Sequence, residues 1–276
     1  MSKKQKSKKL YLRIAIPLIL ILLMLWSWVP VTERISLDLI DGDSEEIRIA
    51  LITDLHSCYY GKNQNWLVRR IEKENPDIVI LGGDILDNHL SDDNAHLLIE
   101  QLCQKYPTYY VSGNHEYWSG RIDEMKDYLK DAGVIVLEGD CDTISFGNST
   151  FDICGIDDPT YLRNDEWEEQ IRSAYDKTED SHVKVLASHR PERVSTYEKY
   201  DFDLILTGHA HAGQLRIPFV NKGLLAPDQG FMAKYVSGTY ELSNGSIMEV
   251  SRGLARETTP LPRFFNHPEV VILKLN

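Results

Sequence analysis

Five apolar runs in this chain each end in residues of the kind that bind metals. They read LITDLH (51–56), VILGGD (79–84), YYVSGNH (109–115), VLASH (185–189) and LILTGHAH (204–211). Short continuous apolar runs closed by polar residues read as strands buried on both faces, as in layered α/β folds. In open α/β sheets, ligands gather beyond the carboxyl ends of the strands. Asp54, His56, Asp84, Asn114, His189, His209 and His211 are therefore expected at one site. A lone D-x-H or H-x-H is common by chance; five such ends in order are not.

The segments between the runs agree. NWLVRRIEKENP has helical spacing and is closed by Pro76, NAHLLIEQLCQKY and DEWEEQIRSAYDK read as helices, and RIDEMKDYLKDAG reads as a helix stopped at Gly133. The order is β-α-β-α-β early and mostly β later, with PEVVILKLN as a final strand. This predicts an α/β layered domain over residues 47–276.

The ligand spacing has a physical reading. Extended residues at i and i+2 point the same way, so Asp54 and His56 could grip one ion together. His209 and His211 could serve two neighbouring ions if the loop turns between them. Mixed oxygen and imidazole ligands suit Zn, Mn or Fe rather than Ca. Gly82, Gly83, Gly113, Gly208 and Gly213 allow tight turns beside the ions. The four cysteines, Cys58, Cys103, Cys141 and Cys154, include no C-x-x-C. A structural zinc knuckle is not indicated, and pairing stays open between disulfides and buried free thiols.

The N-terminus reads as a membrane anchor. After a basic tail (1–9), LYLRIAIPLILILLMLWSWV (10–29) is long enough to cover the hydrocarbon core, for which about 20 residues suffice. Tyr11 suits one interface and Trp26 with Trp28 the other, while the lysines favour a cytoplasmic N-terminus and an extracytoplasmic body. The alternative, a cleavable signal peptide, fits less well: the run is long and no A-x-A site follows. Residues 30–46 read as a polar, acidic connector.

Charge narrows the partners. The net charge is -12, and six of the 30 Lys+Arg lie in residues 1–29, which hold no acid. The rest therefore sets 24 basic residues against 42 acidic ones, a balance of -18. Such a body repels polyanions, which disfavours nucleic acid as a partner. Divalent metal ions beside Asp54 and Asp84 would reverse that field locally.

DLH, GGDILD, GNHE, SHRPE and GHAHAGQ resemble, in order and character, the motifs of the calcineurin-like metallophosphoesterases. The likeness covers residues 47 to about 215. The tail, APDQGFMAKYVSGTYEL and then VSRGLARETTPLPRFF, and the N-terminal anchor resemble the membrane-associated bacterial branch. The resemblance implies a four-layer αββα sandwich holding two divalent metal ions. Asp54, His56 and His211 would bind one ion, Asn114, His189 and His209 the other, and Asp84 would bridge them. His115 would sit near the leaving-group oxygen, oriented by Asp87. A metal-bridging hydroxide would be the nucleophile. GNHE stands where many relatives have GNHD, and Glu116 is not expected to touch metal.

The expected function is a membrane-anchored, dinuclear phosphodiesterase acting on a phospholipid-like or cell-envelope phosphate ester. The alternatives are a phosphomonoesterase or protein phosphatase, and a non-catalytic metal-binding scaffold. His89, His96, His182 and His267 read as surface or helix residues. Arg190 and Arg193 could touch phosphate or form ordinary ion pairs. Tyr59, Tyr60, Tyr117 and Trp118 could wall a substrate site or cover the core edge, and Cys58 reads as a small packed residue.

Overall fold

The computed structural model describes residues 3–40, 46–160, 162–214, 216, 223, 225–256, 263 and 265–276, with the backbone alone for 3–12. Helix α1 (Lys3–Trp26) leads into strand β1 (Val31–Leu37). Strands β2 (Ile47–Ile52), β3 (Ile78–Gly82), β4 (Thr108–Val111) and β5 (Ile135–Val136) follow, separated by helices α2 (Asn65–Glu74), α3 (Asp93–Cys103), α4 (Asn114–Trp118) and α5 (Ile122–Asp131). The second half holds β6 (Asp140–Phe146), β7 (Ser149–Gly155), α6 (Asn164–Tyr175), β8 (Val183–Ala187), α7 (Val194–Tyr197) and β9 (Leu204–Thr207). A short hairpin, β10 (Leu225–Ala226) and β11 (Gly230–Phe231), precedes β12 (Gly238–Glu241), β13 (Ile247–Val250) and β14 (Glu269–Leu275).

Among the described residues these strands form two six-stranded sheets, β1-β14-β2-β3-β4-β5 and β12-β13-β9-β8-β7-β6. The strands between β2 and β5 are parallel, as are β7, β8, β9 and β13. The sheets stack face to face over Ile49, Leu51, Ile80, Tyr109, Phe151, Val185 and Leu206. The outer face of the first sheet buries α2, α3 and α5 through Leu67, Ile71, Leu98, Leu102 and Leu129. That of the second buries Trp167, Ile171 and Tyr197 of α6 and α7. Both sheets are covered on both faces, which is why their strands read as unbroken apolar runs. The architecture is the expected four-layer αββα sandwich.

The structure differs from the sequence reading at the N-terminus. The expected connector 30–46 contains β1, which pairs in parallel with β14 from Val31↔Glu269 to Leu37↔Leu275. VTERISL is an edge strand with one face open to water, so its polar residues hide a real strand. The body therefore begins at Val31, before residue 47. Among the described residues no helix is long and apolar enough to cross a membrane. The side chains of residues 10–12, Tyr11 included, with which the expected span opens, lie outside the described residues. Cys141 and Cys154 stand opposite each other on β6 and β7 and form a disulfide, while Cys58 and Cys103 are in no disulfide among the described residues.

Candidate metal centre

The loops after β2, β3, β8 and β9 and the start of α4 meet at one end of the sandwich. The first two are zipped together: Asp54 N–H donates to Gly83 O (2.9 Å) and His56 N–H to Asp84 O (2.9 Å). His209 N–H donates to Asp54 Oδ1 at 3.0 Å and so joins the second sheet to the first. Asp54, His56, Asp84, His209 and His211 all have φ between 46° and 62°. The left-handed region strains non-glycine residues and collects at functional sites. Asp54 and His56 thus share a side through a left-handed turn rather than the extended backbone expected from the sequence.

Two groups of donors result. Asp54, His56 and His211 form one, and Asp84, His189 and His209 the other, with the ligand atoms of each within 4.8 Å of one another. Asp84 also groups with His56 and His115. Its Oδ2 lies 3.2 Å from His189 Nε2 and 3.7 Å from His56 Nε2, so it stands between the two sets. His211 Nε2 is 3.5 Å from Asp54 Oδ1. The loop does turn between His209 and His211, which fall in different sets. Asn114, at the first turn of α4, is buried beside the same cavity.

The donor set fits divalent ions. His56 Nδ1–H donates to Asp87 Oδ2 (3.1 Å) and His189 Nδ1–H to Gly82 O (2.9 Å), which leaves each Nε2 lone pair facing the carboxylates. His209 Nε2 lies 2.9 Å from both Asp228 Oδ2 and an Arg190 Nη1. It cannot donate and accept at once; a proton there donates to Asp228 and turns Nδ1 toward His189 Nε2 at 3.2 Å. Either a proton on one ring or a metal ion shared by both would satisfy two imidazole nitrogens so close. His56 Nε2, Asp84 Oδ2, Asn114 Oδ1 and His211 Nδ1 are buried and have no hydrogen-bond partner among the described residues. Buried polar atoms without partners are costly, and ligation would satisfy them.

The electrostatics say the same. Burial alone would raise Asp84, but His189, His56 and His115 hold it well below the usual carboxylate range. Asp54 is likewise lowered by His211 and His189 against its burial. Burial would lower His189, yet Asp84 and Asp54 carry it up to about 10, as if its proton were the cation the carboxylates need. Burial takes His211 down to about 3, so it is a neutral donor at pH 7.

Around the ligands, the sequence reading is adjusted in detail. His115 is partly exposed on the cavity wall, and its Nδ1–H donates to Asn88 Oδ1 at 2.8 Å; Asp87 Oδ2 is farther, at 3.4 Å. Asp87 thus spans His56 and His115, and Asn88, unmarked by any motif, is the nearer orienting group. Glu116 touches no ligand side chain but accepts the backbone N–H groups of Asp84, Ile85, Leu86 and Gly113 at 2.7–3.1 Å. Burial and the Asp84 charge push it up to about 8. A Cβ on Gly113 would lie 2.3 Å from Asp84 Oδ1, and one on Gly253 would lie 2.5 Å from Asp54. Asp228 and Gly253 lie in the tail that resembles the family branch, but only the fold shows that they reach the ligands.

The remaining candidates lie elsewhere. His96 stacks on Tyr128, His182 bonds Asp152, His267 meets Trp26, and His89 is exposed next to Asn88. Tyr60 and Cys58 are core residues. Arg190 is buried between Asp158 and Asp228, and Arg193 lies over Trp167. A cavity of about 640 Å³ opens over the ligands, walled by Trp118, Thr160, Arg190, Leu225 and Asp228.

Comparison with known proteins agrees with this geometry. The calcineurin-like phosphoesterase family matches residues 47–213, and the chain belongs to it. An uncharacterised metallophosphoesterase of Helicobacter pylori is 31% identical over 87% of this chain, which spans 62% of that protein's length. A transmembrane protein with a metallophosphoesterase domain from Bos taurus is 26% identical over 83% of the chain and 53% of its own length. Among solved structures, the NAD nucleotidase of Haemophilus influenzae superposes with a TM-score of 0.51 at 15% identity, over 77% of this chain and 46% of that one. The last likeness concerns the fold alone. The family is one of phosphoric ester hydrolases that bind divalent metals.

Proposed function

We propose that the chain is a membrane-anchored phosphodiesterase, using two divalent ions (Mn, Zn or Fe) to hydrolyse a phospholipid-like or cell-envelope phosphate ester. The observation that carries this reading is the pair of buried ligand sets on either side of Asp84, at the floor of a cavity with an apolar wall. Asp54, His56 and His211 would hold one ion, and Asn114, His189 and His209 the other. Ions there would supply Lewis acidity, acidifying water and neutralising charge on a phosphoryl oxygen.

The chain's own groups do the rest. Asp87 and Asn88 fix the rings of His56 and His115. His115 is lowered by burial but raised further by Asp87 and Asp84, so it holds a proton to give to the departing oxygen. Arg190, the cation on the described cavity wall, is already neutralised by Asp158 and Asp228. Apart from His115, a dianionic monoester would find no spare positive side chain among the described wall residues. A monoanionic diester needs none, and Trp118 and Leu225 offer its second substituent an apolar surface.

Three observations support the anchor and an extracytoplasmic body. The side chains of residues 13–22 in α1 are exposed on every side, including Ile14, Leu18, Ile21 and Leu22. The Cys141–Cys154 disulfide suits an oxidising compartment. The Bos taurus relative is named a transmembrane protein.

The test uses the full chain in detergent, loaded with Mn, Zn or Fe. Bound metal is counted, and bis-p-nitrophenyl phosphate is compared with p-nitrophenyl phosphate. The expected result is two metals per chain and preference for the diester, both lost in Asp84→Asn. Preference for the monoester overturns the diester reading; failure to bind metal overturns the site.

A further inference from the structure

Two features of the site-bearing end are not used by the chemistry. The first is where α1 joins the body. β14 runs antiparallel to β2, and β1 runs parallel to β14, so β1 starts where β2 finishes: Val31 faces Glu269, and Leu51 faces Val271. The helix therefore enters the body at the end of the sheet that carries the ligands. The joint is short and fixed. Residues 27–30 span at most about 14 Å. Ser27 is fully buried and its Oγ accepts from Phe265 N–H at 3.0 Å. Trp26 meets His267 edge-on at 4.3 Å, and His267 Nδ1–H donates to Val29 O at 3.0 Å.

The second feature is a ring of exposed apolar side chains. Outside α1 and its joint, the large exposed apolar residues among those described are Tyr59, Trp66, Tyr117, Trp118, Leu225, Phe231 and Met232, with Leu97 and Ile135. Tyr59 and Trp66 lie in the loop after β2 and the first turn of α2, Tyr117 and Trp118 in α4 after β4, and Leu225, Phe231 and Met232 on or next to the β10–β11 hairpin beside the cavity. Trp66 is 60% exposed and Phe231 72%. A water-facing catalytic end has no use for such a concentration. Tyrosine and tryptophan are the side chains that settle at a bilayer's polar–apolar boundary.

We infer that this end of the sandwich rests against the bilayer from which α1 comes. Tyr59, Trp66, Phe231 and Met232 enter the interfacial layer. The substrate keeps its apolar part in the membrane and passes only its phosphoester into the cavity. The inference deepens the proposed function and rests on α1 being held in a membrane. With a fixed joint of four residues, the body cannot turn its active end away from the surface. The body's negative balance makes a zwitterionic surface the suitable one.

The experiment places the full chain in phosphatidylcholine vesicles. Met232→Cys on the proposed face and Asn148→Cys in the β6–β7 turn at the opposite end are each labelled with a polarity-sensitive fluorophore, with the unsubstituted chain as labelling background. Quenching by lipid carrying a shallow nitroxide is expected to be at least about twofold stronger at 232 than at 148. Failure of the protein to float with the vesicles overturns the anchor reading and this inference together. Flotation without preferential quenching at 232 overturns this inference alone and leaves the face to a protein partner. Separately, Phe231→Ser and Met232→Ser are expected to lower turnover of a phosphodiester lipid in vesicles about tenfold, with soluble bis-p-nitrophenyl phosphate unchanged. Equal loss on both substrates overturns the membrane-held substrate.

Discussion

Glu116 and Asp84 are both buried carboxylates, yet they are bonded: Glu116 Oε2 accepts the Asp84 backbone N–H at 3.0 Å. The same oxygen takes Gly113 N–H, and Oε1 takes those of Ile85 and Leu86. One side chain thus holds the turn that aims the shared ligand between the two sets. These four donors oppose the burial and the Asp84 charge, which push its carboxyl up to about 8.

Glu116→Gln keeps the shape but turns one acceptor into a donor that faces two N–H groups. Each unsatisfied donor costs about 1–3 kcal/mol. The variant is expected to melt several degrees lower and to bind metal about 10- to 100-fold more weakly, as with other groups that support ligands. Thermal melts and metal titration read both; an unchanged affinity would show that the turn holds without it.

Asp228 reaches the centre from the hairpin over the cavity and bonds the outer nitrogen of His209. Asp228→Asn removes the carboxylate that favours a proton on that nitrogen. The ring then loses its preferred tautomer, and affinity at the Asp84, His189 and His209 set is expected to fall about 10- to 100-fold, with the other set little changed. Stepwise titration with a competing chelator separates the two sets. A uniform loss at both would assign Asp228 to the general charge of the cavity.

Arg263 is buried and donates to Ala255 O and, through one nitrogen, to Arg252 O (2.8 Å) and Gly253 O (3.2 Å). It fixes the loop that sets Gly253 against Asp54. Gly253→Ala adds about 1–3 kcal/mol of strain at φ 68° and a methyl group against Asp54. Its metal affinity is expected to drop more than its stability. Arg263→Met is expected to do the reverse, costing stability first, because it leaves buried carbonyls without donors. Denaturation and metal titration of the two variants give opposite rankings if the division holds.

Glu249 is not one of the ligands; it lies on β13 beside β9, where burial pushes its carboxyl up to about 8. Thr239 donates to one oxygen at 2.7 Å, and the other has no partner among the described residues. The folded protein therefore binds a proton that the unfolded chain, at about 4.5, does not. Between those values stability falls as pH rises, and above about 8 the loss is complete. Glu249→Gln is expected to stabilise the protein by about 1–3 kcal/mol at pH 8.5 and to change little at pH 5. Melts across pH 5–9 give the slope; parallel curves for the two proteins would sink the assignment.

The layered fold and the ligand-bearing ends were legible because buried parallel strands spell unbroken apolar runs, and the ligands follow directly. β1 was not, since VTERISL shows water one of its faces and carries charge there. The D-x-H geometry was misread for a different reason: side-chain period assumes extended backbone, and left-handed φ at Asp54 and His56 leaves no periodic trace. Asn88 carries no motif, and Asp228 and Gly253, although they lie in the tail that resembles the family branch, show no ligand pattern, because their work is defined by neighbours 19 or more residues away in the chain. The Cys141–Cys154 bond needed the β6–β7 register, which two cysteines and a turn do not specify.

The last strand sits between the first two. β14 fills the gap between β1 and β2, and Gly253 and Leu254, which precede it in the chain, close over Asp54. During synthesis β1 and β2 appear early and wait as two unpaired edges. The ligand end can therefore close only once β14 has been made, after every ligand-bearing strand is already in place in the chain.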